Sequence, residues 1–104
     1  MDAASTAPAR QPHILVLTAT GTGTVDTFTY VIDGQETKGR AVRLPWRQSV
    51  DIPADGRRHE YRLTVRFRTG TVDLVAIFNG QEVARSRGST SGKGDASVGG
   101  NVLG

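Results

Sequence analysis

The feature that most constrains this chain is the alternation from Glu60 to Thr69. Tyr61, Leu63, Val65 and Phe67 are apolar, and Glu60, Arg62, Thr64, Arg66 and Arg68 stand between them. Side chains repeat every two residues on a strand and every 3.6 on a helix, so this pattern predicts a β-strand. It gives that strand an apolar face for a core and an Arg-rich face for water. No stretch of useful length carries the helical period, so the chain is expected to be all-β.

The flanking segments agree. His13 to Thr18 is a short apolar run suited to a buried strand, and Val25 to Ile32 alternates, with Phe28, Tyr30 and Ile32 on one side. Asp26 falls at the exposed end of that same side. Asp33-Gly34 and Asn79-Gly80 are two-residue hairpin signals, because such turns need positive φ at both positions. Gln35 to Leu44 reads as a weaker strand that ends at Leu44-Pro45-Trp46, since proline donates nothing to a ladder. Gln48 to Ile52 is a short strand closed by Pro53-Ala54-Asp55-Gly56, and Glu82 to Arg87 pairs back from Asn79-Gly80 on Val72 to Phe78. Residues 1–12 read as a flexible, Pro-containing lead-in and 13–98 as the domain. From Gly88 onward the chain reads as loose, with one short strand near Asp95 to Val98 and a flexible Gly-rich tail at 99–104. About seven short strands between turns point to a sandwich or small barrel.

At 104 residues the chain is one domain with a modest core. It contains no cysteine, which excludes a disulfide framework, a thiolate nucleophile and a Cys-based zinc site. No run approaches the length of a membrane helix, and the first residues lack the apolar region of a secretory signal. Charge is concentrated: Lys38, Arg40, Arg43, Arg47, Arg57, Arg58, Arg62, Arg66 and Arg68 face only Asp51, Asp55 and Glu60 in the same stretch. Such a field favours anionic partners in a salt-dependent way.

Catalytic and metal chemistry find little support. The two histidines, His13 and His59, have no carboxylate at ligand-like spacing and read as strand-end residues. Ser49, Asp51 and His59 form a triad only on paper, without a nucleophile elbow. Thr20-Gly21-Thr22-Gly23 lacks the helix and the lysine of a phosphate loop, so it reads as a turn. No cofactor is implied. Single-strand nucleic-acid readers set aromatic rings among their cations. Here Tyr61 and Phe67 point away from the arginines, so nucleic acid is not the expected partner. Trp46 suits either a partner contact or a plug at one end of the core, and its place beside Pro45 favours the plug.

The order of several motifs resembles one family. Thr18-Ala19-Thr20-Gly21-Thr22-Gly23, Thr27-Phe28-Thr29-Tyr30, Leu44-Pro45-Trp46, and Val72 to Phe78 running into Asn79-Gly80-Gln81-Glu82-Val83-Ala84 follow the soluble domain of the MmpS (mycobacterial membrane protein, small) family. The resemblance covers roughly residues 14–98. It implies an immunoglobulin-like antiparallel β-sandwich of about seven strands, without catalytic residues. It also implies a place on the extracytoplasmic side of the cell envelope, assisting large MmpL-type (RND) exporters of lipids or siderophores. Family members often carry a cysteine where Leu74 stands and another near the C-terminus; both are absent here. The family's N-terminal membrane helix is absent from this sequence too.

The expectation is therefore a non-enzymatic docking module, monomeric or weakly self-associating, that meets a transporter or another envelope protein through strand edges or an exposed loop. Arg43, Trp46 and Arg47 at the Leu-Pro-Trp corner form one candidate contact. Arg62, Arg66 and Arg68 form the other. A carbohydrate-, lipid- or peptide-binding sandwich is the alternative, and a basic nucleic-acid binder a more distant one.

Overall fold

The computed structural model describes residues 12–40 and 42–104, so the expected lead-in at 1–12 lies, apart from Pro12, outside the described residues. Six strands form one curled antiparallel sheet: β1 (His13–Gly21), β2 (Thr24–Ile32), β3 (Gln35–Arg40), β4 (Trp46–Ile52), β5 (Arg58–Phe78) and β6 (Gln81–Leu103). No helix occurs among the described residues. The turns fall where their residues demand. Asp33 and Gly34 have φ of 49° and 84°, and Asn79 and Gly80 have 51° and 83°, positive at both central positions of each hairpin.

The sheet is organised around β5. Its first part, Arg58 to Arg68, pairs with β2 on one side and with the last part of β6 on the other. Its second part, Gly70 to Phe78, pairs with β1 and with the first part of β6. One half of the sheet thus runs β3-β2-β5-β6, and the other β4-β1-β5-β6. The break lies at Thr69-Gly70, where φ is 39° and 131° and the ladder to β6 slips between Arg68 and Gly70. An extra residue at a bulge flips every following side chain to the other face. Before the break Tyr61, Leu63, Val65 and Phe67 are buried; after it Val72, Leu74 and Ala76 are. The flip keeps one continuous apolar face inside the curl.

That face is the core. Leu15, Leu17 and Ala19 from β1, Val25 from β2 and Ile52 from β4 join the β5 residues, together with Ala96, Val98 and Val102 from β6. Phe28 and Tyr30 on β2 meet Trp46 on β4 across the interior, with ring centroids 4.8 and 6.4 Å apart, so the two halves face each other. The predicted period-two burial of Tyr61 through Phe67 is what the structure has.

Several expectations change. Among the described residues there are six strands rather than about seven, and the strand expected over Gln35 to Leu44 ends at Arg40. Glu60–Thr69 and Val72–Phe78 are one strand, because the bulge bends the ladder without ending it. Residues 88–104 are not a loose segment with a Gly-rich tail but part of β6, which continues to Leu103. Glycines there occupy inward positions beneath aromatic rings: a Cβ on Gly88 would lie 3.2 Å from the Phe67 ring, and one on Gly100 3.2 Å from the Tyr61 hydroxyl. Bulk supplied by β5 replaces bulk absent from β6, as when a cross-strand aromatic covers a glycine.

Candidate functional site

The outer face of the β3-β2-β5-β6 half holds the arginines singled out by alternation. Arg62, Arg66 and Arg68 are all exposed. They differ in what they touch. Arg68 Nε donates to Asp26 Oδ1 at 2.9 Å. This contact exists because β2 has its own bulge between Val25 and Thr27, which leaves Asp26 without a ladder partner. Val25, not Asp26, takes the inward place, which corrects the simple alternation expected for β2. Arg66 Nε lies 3.5 Å from Asp95 Oδ1 on β6, longer than a charge-assisted hydrogen bond. Arg62 has no ion pair among the described residues.

Register places further groups beside these arginines. Arg40 on β3, Thr27 on β2, Arg66 on β5 and Asp95 on β6 form one cross-strand row; Lys38, Thr29, Thr64 and Ser97 form the next. Lys38 and Arg40 entered the sequence reading only as part of the overall charge. Their placement beside Arg66 follows from strand pairing, which local sequence does not disclose.

The second candidate patch is separate. Trp46 opens β4 opposite Ala19 of β1, half-buried, with its ring turned towards Phe28 and Tyr30. This is the plug arrangement. Arg43 and Arg47 beside it are exposed and have no ion pair among the described residues. Arg47 lies on β4 in the other half of the curl and Arg43 in the connection before it, so neither is on the strand that carries Arg62, Arg66 and Arg68.

A third cluster was not anticipated. His59 is 7% exposed and sits between two turns. Its Nδ1 is 2.5 Å from Asp33 Oδ2 and its Nε2 is 2.9 Å from Asp55 Oδ1. Asp33 also accepts the Glu60 backbone N–H, and Asp55 that of Arg57, both at 2.9 Å. No contact joins His59 to Ser49 or Asp51, so the paper triad is not assembled among the described residues. With a carboxylate on each ring nitrogen, the ring when protonated donates twice and ties the β2–β3 turn and the β4–β5 loop to β5. Neither nitrogen is left to coordinate a metal, and no group of three or more potential ligands is arranged as a metal site among the described residues. His13 is a strand-end residue, its Nδ1 2.8 Å from Asn79 Nδ2.

These contacts set the protonation behaviour. Hydrogen bonding to Asp33 and then to Asp55 raises the His59 pKa above its ordinary 6.5. Hydrogen bonds from His59, and then from backbone N–H groups, lower both aspartates below 3.8. A raised histidine contributes stability that is complete below about pH 6.5 and is lost as pH rises through its folded value. The lowered aspartates contribute above their ordinary range, and that contribution is lost as pH falls through their folded values. The cluster therefore stabilises most between roughly pH 4 and 6.5. Thermal unfolding of the wild type and His59→Gln should show the widest gap in Tm near pH 5, narrowing by pH 9. An equal gap at both pH values would show that His59 does not titrate in this way.

Compared with known proteins, the chain matches no family model and no curated protein sequence.

Proposed function

We propose that this domain is a non-enzymatic docking module that works beside a membrane transporter or another envelope protein, as its resemblance to the MmpS soluble domain implies. The observation that carries the proposal is the outer face of the first half of β5. Arg62, Arg66 and Arg68 stand on one face of one strand with Thr64 between the first two, so along the strand Arg66 is about 6.7 Å from Arg68 and about 13 Å from Arg62, and all three are exposed. Their guanidinium groups suit bidentate contacts to carboxylates on a partner, with Arg68 giving up its contact with Asp26 to make one. In this reading the two halves of the curled sheet serve as the two layers of an immunoglobulin-like sandwich, with β5 and β6 contributing to both. The envelope is the proposed location.

The test is co-purification in detergent with an RND-class exporter expressed from the same genome. Wild type should be retained, and the Arg62→Glu/Arg66→Glu/Arg68→Glu variant should lose retention by roughly tenfold or more, because reversed charges repel where three pairs formed. Retention should also fall as salt is raised. Equal retention of a folded triple variant would remove these arginines from the interface.

A further inference from the structure

We infer that the outer face formed by β3, β2 and the first part of β5 carries a binding site for a phosphate or sulfate group. The site is a shallow depression of about 710 Å³. Thr27, Thr29 and Thr64 form its floor, and Lys38, Arg40 and Arg66 rise around it. This inference does not rest on a protein partner, although Arg66 also belongs to the proposed docking face.

Strand pairing builds the depression. Thr29 pairs with both Lys38 and Thr64, and Thr27 lies between Arg40 and Arg66. Neighbouring strands are about 4.8 Å apart, so Arg40 and Arg66 flank Thr27 at roughly 10 Å between backbones. Long side chains at the rim and short ones in the middle leave a hollow, with guanidinium and ammonium groups able to bend over it.

The surplus of cations over acids in the hollow points to an anion. Of the exposed arginines, Arg68 is held by Asp26 at 2.9 Å, Arg85 by Glu82 at 2.9 Å and Arg87 by Asp73 at 2.8 Å, while Arg43, Arg47, Arg57, Arg58 and Arg62 have no ion pair among the described residues. Around the depression the pairing is loose. Arg40 has no ion pair among the described residues, Lys38 is 3.9 Å from Glu36, and Arg66 is 3.5 Å from Asp95. The hydroxyls of Thr27, Thr29 and Thr64 likewise form no side-chain hydrogen bond among the described residues. Three cations and three such hydroxyls thus line one hollow, with Glu36 the single acid in its lining and Asp95 next to Arg66. That excess of donors fits a compact oxyanion with several acceptor oxygens. Phe28 also lines the hollow, and its ring packs on Trp46 with centroids 4.8 Å apart.

The experiment is a titration of ¹⁵N-labelled protein with inorganic phosphate and with sulfate at low, constant ionic strength, using chloride as the reference salt. Saturable shifts are expected at the amides of residues 27, 29, 38, 40, 64 and 66. Lys38→Gln/Arg40→Gln should weaken binding by about tenfold or more. Thr29→Val/Thr64→Val, which keeps β-branched side chains in the sheet, should weaken it by a smaller factor. Arg62→Gln/Arg68→Gln should bind as wild type, which separates this site from the docking face. A parallel arm uses vesicles containing phosphatidic acid: sedimentation that depends on Lys38 and Arg40 identifies a lipid headgroup as the source of the phosphate. Absence of saturation in both arms, or binding unchanged in Lys38→Gln/Arg40→Gln, would overturn the inference.

Discussion

Gly21→Ala is expected to destabilise the domain by about 3 kcal/mol or more, lowering Tm by roughly 10–20 °C. Gly21 ends β1 with φ of 132°, opposite Val72 on β5. A Cβ built there would stand 2.1 Å from the Thr71 carbonyl oxygen and 2.9 Å from its carbon, both backbone atoms. No rotamer relieves such an overlap. That same oxygen accepts hydrogen bonds from the N–H groups of Thr22 at 2.9 Å and Gly23 at 3.1 Å. Moving it disturbs both bonds, each worth about 0.5–1.5 kcal/mol net, on top of a backbone strain of about 1–3 kcal/mol. A domain of this size has about 5–15 kcal/mol in total. Gly34→Ala is the control. Its φ is 84° but nothing lies within 4 Å of the added carbon, so only the smaller conformational cost applies. Thermal melts of the two variants should separate clearly, and a Gly21→Ala melt no lower than that of Gly34→Ala would refute the clash argument.

Phe67→Ala should cost about 3–5 kcal/mol, the upper part of the range for emptying a buried aromatic site. Phe67 is 1% exposed and among the largest fully buried side chains. Its ring covers glycines from separate segments: added Cβ atoms would lie 3.0 Å from it at Gly23, 3.2 Å at Gly88 and 3.5 Å at Gly94. Glycines have no side chain to move into the space, so the cavity stays open and its cost is not relieved. A double-mutant cycle checks the mechanism. Gly88→Ala is tightly placed in wild type, 3.2 Å from both Ala96 Cβ and the ring, and should become neutral or stabilising once the ring is gone. A coupling of about 1 kcal/mol or more in urea unfolding is expected; simple additivity would mean that Phe67 and Gly88 do not share the space.

The two glycine arguments mark where the sequence is readable and where it is not. Tyr61, Leu63, Val65 and Phe67 announce their burial by spacing alone, and Asp33-Gly34 and Asn79-Gly80 announce their turns by the φ values that those residues accept. The Arg62, Arg66 and Arg68 face was legible by the same alternation. The neighbouring Lys38 and Arg40 were not placed beside it, because their nearness to Arg66 runs through β2 and depends on register. His59 was equally opaque. Its carboxylate partners come from two different turns, and only the closing of those turns over the start of β5 brings them to its ring nitrogens.

Local sequence determined that this chain is made of strands, that Tyr61, Leu63, Val65 and Phe67 face inward, and that the chain reverses at Asp33-Gly34 and Asn79-Gly80. Tertiary structure alone decided that β5 runs unbroken through Thr69-Gly70 and that residues 88–103 belong to a strand. A period of two is a property of one strand, readable from its own residues. The support for a glycine-rich strand comes from rings on another strand, and no local pattern records a neighbour that arrives by folding.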